Sequence, residues 1–287
     1  MSDNKDQVET TGHVWDEDLK EFNNPLPRWW IWTFYATIVW GIGYTIAYPA
    51  WPLINGATRG VLGYSTRTEV ADEINRFEEM NAGVKAELAA MDVTEIASNE
   101  AVANYAIQSG RATFATYCSQ CHGSGANGIA EGNGYPNLLD DDWIWGGDIE
   151  AITYTVTHGI RNEEDPDARY SQMPAFGDDY LSDDEITNVV AYVMSLSGLE
   201  GTGDAAEGEV VFADNCTACH GENAEGDIDQ GAPNLADAIW LHGSSEAAIE
   251  TSVRQGPFGV MPNWNSRLDE AEIKAVAAYV HQLGGGQ

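Results

Sequence analysis

Residues Cys118-Ser119-Gln120-Cys121-His122 return in kind as Cys216-Thr217-Ala218-Cys219-His220, and no other feature limits so tightly what this chain can fold into. Cys-x-x-Cys-His is the attachment signature of a c-type haem. Two thiols on one helical turn add to two vinyl groups of a porphyrin, and the adjacent imidazole reaches the iron from one face. All four cysteines are spent on these motifs, so none remains for a structural disulfide. One Cys-x-x-Cys alone would suit a redox dithiol or half a zinc site. A His directly after the second Cys, twice, points instead to two haem c groups, held by Cys118, Cys121, Cys216 and Cys219, with His122 and His220 on the irons.

The motifs sit in an internal duplication that begins near residue 101. Gly110, Phe114 and Cys118 match Gly208, Phe212 and Cys216, four apart and therefore on one helical face. Pro-Asn-Leu comes next at 136–138 and 233–235, then Trp143 with Gly146 and Trp240 with Gly243, then Gly159 and Gly256. Met173-Pro174-Ala175-Phe176 matches Met261-Pro262-Asn263-Trp264. Each half closes on a helix opened by Ser182 with Glu185 or Asp269 with Glu272, the pattern of a capping box. Met173 and Met261 are the candidate sixth ligands: thioether sulfur is soft, favours ferrous iron and raises the potential, and each precedes a Pro that bars helix. The expectation is one self-contained domain per half, so that Met173 serves the haem of Cys118 and His122, and Met261 that of Cys216 and His220. The glycine-rich run 198–206 reads as a flexible linker. His158 aligns with Gln255 and is not kept by the repeat.

Upstream the chain changes character. Residues 1–28 are polar and acidic and read as a short, poorly ordered cytoplasmic tail. From Trp29 to Tyr48 there is no charge, and twenty helical residues span about 30 Å, a bilayer's hydrocarbon core. Trp29, Trp30 and Trp32 at one end, and Tyr44, Tyr48 and Trp51 at the other, resemble interfacial belts. A membrane anchor over 29–51 is expected, with Thr33, Thr37, Gly41 and Thr45 forming a small-residue stripe for another helix. Bacterial c-type haems are attached outside the cytoplasmic membrane, which puts the later residues on the periplasmic side. Residues 52–100 read as a helical connector, with Val70, Ile74, Phe77, Met80, Val84 and Leu88 at helical intervals; Met80 and Met91 read as ordinary apolar contacts.

Thirteen basic residues face 46 acidic ones, a formal charge of −33, which excludes a nucleic-acid binder because phosphate binding needs a basic surface. No Ser/His/Asp set or phosphate loop is apparent, and six-coordinate haems leave no open site for substrate.

Each repeat resembles a class I cytochrome c. The whole chain, with His13-Val14-Trp15-Asp16, Asn23-Asn24-Pro25-Leu26-Pro27-Arg28-Trp29-Trp30, one span, the connector and two tandem motifs, resembles the dihaem subunit III of cbb3-type cytochrome c oxidases. The fold so implied is all-α: one N-terminal transmembrane helix, then cytochrome c domains at 101–199 and 205–287. The resemblance implies two haem c cofactors and a place in the bacterial inner membrane. Its implied partners are a periplasmic cytochrome c donor, a monohaem subunit and a catalytic subunit that reduces O₂ and pumps protons. A free dihaem carrier, a dihaem peroxidase and a membrane cytochrome serving nitric oxide reduction are the rival readings.

Overall fold

Residues 9–128, 134–178, 180–284 and 286 are described by a computed structural model; residues 1–8 of the tail lie outside it. The chain divides into two units, residues 1–80 and 81–287.

In the first unit β1 (Thr10–Trp15) and β2 (Leu19–Phe22) form an antiparallel hairpin, Trp15 opposite Leu19. Asp16 and Glu17 turn it with φ of 45° and 72°. This corrects the expectation of a poorly ordered tail for residues 10–22. Helix α1 (Arg28–Ala47) comes next, with Pro27 at its N-cap and no buried residue; Pro sets a fixed φ there and the N–H it lacks is not missed. The chain after α1 makes a second small hairpin, β3 (Pro52–Leu53) with β4 (Gly56–Ala57). It then returns to the helix end, where Val61 and Leu62 donate to the carbonyls of Ile46 and Ala47. Two short hairpins therefore qualify the all-α expectation; the fold is mostly helical. By mean hydropathy no helix among the described residues is long and apolar enough to cross a membrane. Helix α2 (Thr66–Ala90) carries the expected apolar stripe. Val70, Ile74, Phe77 and Met80 on it are exposed, so Met80 is not the packed contact expected.

In the second unit Leu88, at the end of α2, is fully buried and joins Ile96, Val102, Ala106, Ala271, Ala275 and Ala278, with Val84 and Met91 at the edge. A 3₁₀ turn, Val93–Ser98, capped by Asp92, leads into α3 (Glu100–Thr113), capped by Asn99. A π turn, Phe114–Cys118, then runs into α4 (Ser119–His122), and α5 (Ile149–His158) and α6 (Asp183–Leu196) complete the first half. The second half repeats the order with α7 (Ala205–Asn215), α8 (Thr217–His220), α9 (Glu246–Gln255) and α10 (Glu270–His281). Both capping boxes expected for α6 and α10 are formed.

The helices do not pair within the halves. α3 crosses α10, and α7 crosses α6. Gly110 lies against the Ala275 carbonyl and Tyr279, and Gly208 against the Asn188 carbonyl and Tyr192. The rings meet accordingly, Phe114 with Tyr279 at 5.6 Å and Phe212 with Tyr192 at 5.3 Å. α5 packs on α10 and α9 on α6. One core thus joins Phe114, Ile152 and Val156 to Trp264, Ile273, Val276 and Val280; the other joins Phe176, Ile186, Val189 and Val190 to Phe212, Ile249 and Val253.

This packing overturns the expectation that each half encloses its own site. The cause is the connection between α6 and α7, which is packed rather than loose. Gly201 and Gly203 run against Ala191 and the Thr187 carbonyl, Leu199 N–H donates to Met194 O, and Asp204 N–H donates to Asn188 Oδ1 at 2.8 Å. A short tight turn makes consecutive helices neighbours, so α7 takes α6 and α10 is left for α3.

Two candidate haem sites

Glycines immediately after each Cys-x-x-Cys-His turn fix how the chain leaves it. Gly123 and Gly221 leave their short helices with φ of 79° and 81°, a left-handed conformation that glycine adopts without strain. Gly128 N–H then donates back to His122 O at 2.9 Å, and Gly226 N–H to His220 O at 2.8 Å. Leu138 N–H reaches Ala126 O and Leu235 N–H reaches Ala224 O, both at 2.8 Å. These bonds deliver the Pro-Asn-Leu segments to the histidines. His122 Nδ1 lies 3.3 Å from Pro136 O, and His220 Nδ1 lies 3.0 Å from Pro233 O. The Pro carbonyl can only accept, so Nδ1 carries the proton and Nε2 keeps its lone pair, as an imidazole ligand requires. Burial holds both histidines below the ordinary imidazole pKa, which keeps them neutral. The same burial, with the neighbouring thiol adding to it, pushes the free thiols of Cys118 and Cys216 up to about 11, while Cys121 and Cys219 are exposed.

The methionine loops are placed by the helices of the opposite half. Gly159 closes α5 with φ 73° and lies against the Met261 carbonyl; Gly256 closes α9 with φ 65° and lies against the Met173 carbonyl. Ile160 and Met261 exchange both backbone bonds, at 2.9 and 3.0 Å. Trp264 N–H donates to Val156 O at 3.2 Å, and its counterpart Phe176 N–H donates to Val253 O at 3.1 Å. Met261 therefore borders the core that holds Cys118, and Met173 the core that holds Cys216.

The donor set fits a haem c in each place: two thiols and a tautomer-fixed imidazole from one turn, and a half-buried thioether brought to the same apolar cluster by a separate segment. A buried polar atom beside one of the methionines, Asn263 Oδ1, has no hydrogen-bond partner.

A polar chain behind Met261 has no signature in the sequence. Asn263 Nδ2 donates to Asn265 Oδ1, Asn265 Nδ2 to Asp165 Oδ2 at 2.6 Å, and Asp165 Oδ2 faces His158 Nδ1 at 3.1 Å. His158 is engaged here although the repeat does not keep it. Backbone donation from Asp167, with Asn265 and His158 adding to it, holds Asp165 below the usual carboxylate range. No spacing rule links these residues, because 98 positions separate Asp165 from Asn263 in the sequence. Arg161, whose side chain reaches Gly259 and Ser171, is equally silent in the sequence.

Residues 7–55 match the family model described as the N-terminal domain of cytochrome oxidase-cbb3, FixP. Residues 105–193 and 203–280 match that of cytochrome c oxidase, cbb3-type, subunit III. The cbb3-type cytochrome c oxidase subunit CcoP of Cereibacter sphaeroides is 58% identical over 280 residues, 97% of this chain and 95% of that one. The CcoP subunit of Rhodobacter capsulatus is 50% identical over 99% of this chain and 98% of its own. The FixP subunit of Sinorhizobium medicae is 48% identical over 98% and 96%. With both ends of the chain and its two haem motifs matched, the protein belongs to the subunit III family of cbb3-type cytochrome c oxidases.

Proposed function

We propose that the chain takes electrons from a periplasmic donor and passes them to partner subunits of a cbb3-type oxidase, with the oxygen-reducing centre outside this chain. As a family member it is a dihaem cytochrome c subunit that works in electron transfer. Haem c supplies an iron that carries one electron at a time without making or breaking bonds in the protein. The observation that carries the reading is the near-identity of the two sites, down to the Pro carbonyl on each Nδ1. Two like centres suit a relay, whereas a peroxidase needs one of them open.

In this reading His122 and Met261 would hold the iron of the haem on Cys118 and Cys121, and His220 and Met173 would hold that of the haem on Cys216 and Cys219. The neutral imidazoles would offer Nε2 to the iron, and the thioethers would favour its reduced state. The two cytochrome domains are then interleaved: residues from about 173 to 255 form one, and residues from about 100 to 158 with 261 to 283 form the other.

Helix α1 is the membrane anchor in the same reading, with the domains on the periplasmic side. After Arg28 it bears no charge. Its Thr33, Thr37 and Thr45 hydroxyls donate to backbone carbonyls of their own helix, so these three polar groups are paired within the helix, as a lipid surrounding requires. Tryptophan and tyrosine depress its mean hydropathy yet are the residues membrane interfaces favour. Gly41, on the small-residue stripe, has open space where a Cβ would stand, room for a partner helix.

The test is oxygen uptake by the purified complex with and without this chain. Uptake driven by reduced cytochrome c should be lost while uptake driven by a small diffusible reductant persists. Cytochrome c-driven uptake at the full rate without the chain would contradict the reading.

A further inference from the structure

Arg161 occupies one point from which both methionine loops can be held. Its Nε donates to Gly259 O at 2.6 Å and its Nη1 to Ser171 O at 3.0 Å. Gly259 stands two residues before Met261, and Ser171 two before Met173, so the guanidinium grips equivalent positions of the two loops. Its backbone takes part as well. Arg161 N–H donates to Arg169 O at 2.8 Å, and its neighbour Ile160 pairs with Met261. The residue holds φ 51°, a conformation a long side chain adopts only when its surroundings compel it.

The repeat explains why there is one such residue and not two. Counting from Gly159 and Gly256, Arg161 corresponds to Phe258. The two equivalent positions meet, with the Arg161 guanidinium carbon 5.6 Å from the Phe258 ring centroid. One half supplies the cation and the other the aromatic face that covers it. Among the described residues no carboxylate lies within ion-pair distance of Arg161, so its charge is not cancelled locally. The nearby cation helps hold His242 below its ordinary pKa, though burial is the larger cause.

We infer that Arg161 is a shared positioning residue for Met173 and Met261: one guanidinium fixes both loops, and its positive charge lies between the two haem sites. The inference rests on the axial roles proposed for the two methionines. A fork-shaped donor can satisfy two carbonyls in different directions, whereas a lysine ammonium supplies the charge without the fixed fork. A cation near an iron disfavours its ferric state, so this charge raises both potentials.

The experiment uses the full-length, haem-loaded protein. Spectroelectrochemical titration gives the two potentials, and the sulfur-to-iron band at the red end of the oxidised spectrum reports thioether ligation. Met173→Ala and Met261→Ala should each remove part of that band, leaving the part that belongs to the other haem. Arg161→Gln placed in each of these backgrounds should weaken the remaining band both times, and alone it should shift both potentials downward. Arg161→Lys should keep the potentials close to those of the parent while the band still weakens. Arg169→Gln, whose guanidinium reaches Thr155 and Ala151 instead, should leave the band intact. If the methionine variants remove band and Arg161→Gln then affects neither remainder, or only one, the shared role is wrong and the ligation stands. If the methionine variants leave the band whole, the ligation itself fails and the inference with it.

Discussion

His122 and His220 show how much one backbone carbonyl decides. Pro136 O and Pro233 O can only accept, and that single constraint leaves Nε2 of each ring available to iron. Asp142 is the clearest case of a side chain held against its preference. Burial, and then Asp237, Asp140 and Asp141, push its carboxyl up to about 6. A raised carboxyl pKa means that the folded state favours the protonated form. The favourable contribution is present below about pH 4, the ordinary Asp value, and is lost as pH rises through 6. Asp142→Asn should therefore match the parent in thermal stability near pH 4 and exceed it at pH 7.5. Melting curves at the two pH values check this, and an equal offset at both would contradict it.

At the scale of elements, two glycines decide how closely the helices cross. A Cβ on Gly208 would collide with the Asn188 carbonyl, part of a helix backbone that cannot rotate aside. Gly208→Ala should cost about 1–3 kcal/mol, read as a lower denaturant midpoint. Gly83, inside α2, has nothing within 4 Å of its would-be Cβ. Gly83→Ala should therefore stabilise by up to about 1 kcal/mol through helix propensity alone. The sequence displayed these glycines, and it displayed the Pro-Asn-Leu and Met-Pro segments and both capping boxes, because each is a local rule repeated at fixed spacing. What it did not display is pairing. Gly110 and Gly208 announce close crossings without naming a partner, and two near-identical closing helices suit either place. The deciding signal was the run from Gly198 to Asp204. Read as flexible, it permits separate halves; with Gly201 and Gly203 needed for contact with α6, it forces α7 onto α6. Arg161 and the chain from His158 to Asn263 stayed hidden for a related reason, since only the crossed packing brings Gly259 to Arg161 and Asn265 to Asp165.

For the whole molecule, residues 101–287 carry 30 acidic and six basic residues, a net charge of −24. A field of that sign accelerates encounter with a basic donor and is screened by salt, over about 8 Å at physiological ionic strength. Electron entry from a basic cytochrome c should slow steadily as salt is raised from low ionic strength; a rate indifferent to salt would place the acidity outside donor recognition. The central claim is the interleaving itself, in which each haem motif is completed by the methionine of the other half. Its most direct test is the full-length chain with Cys216 and Cys219 both changed to Ala, so that one covalent haem remains, on Cys118 and Cys121. Crossed packing predicts that Met261→Ala abolishes the sulfur-to-iron band of that haem while Met173→Ala leaves it. A band abolished by Met173→Ala and retained in Met261→Ala would contradict the account.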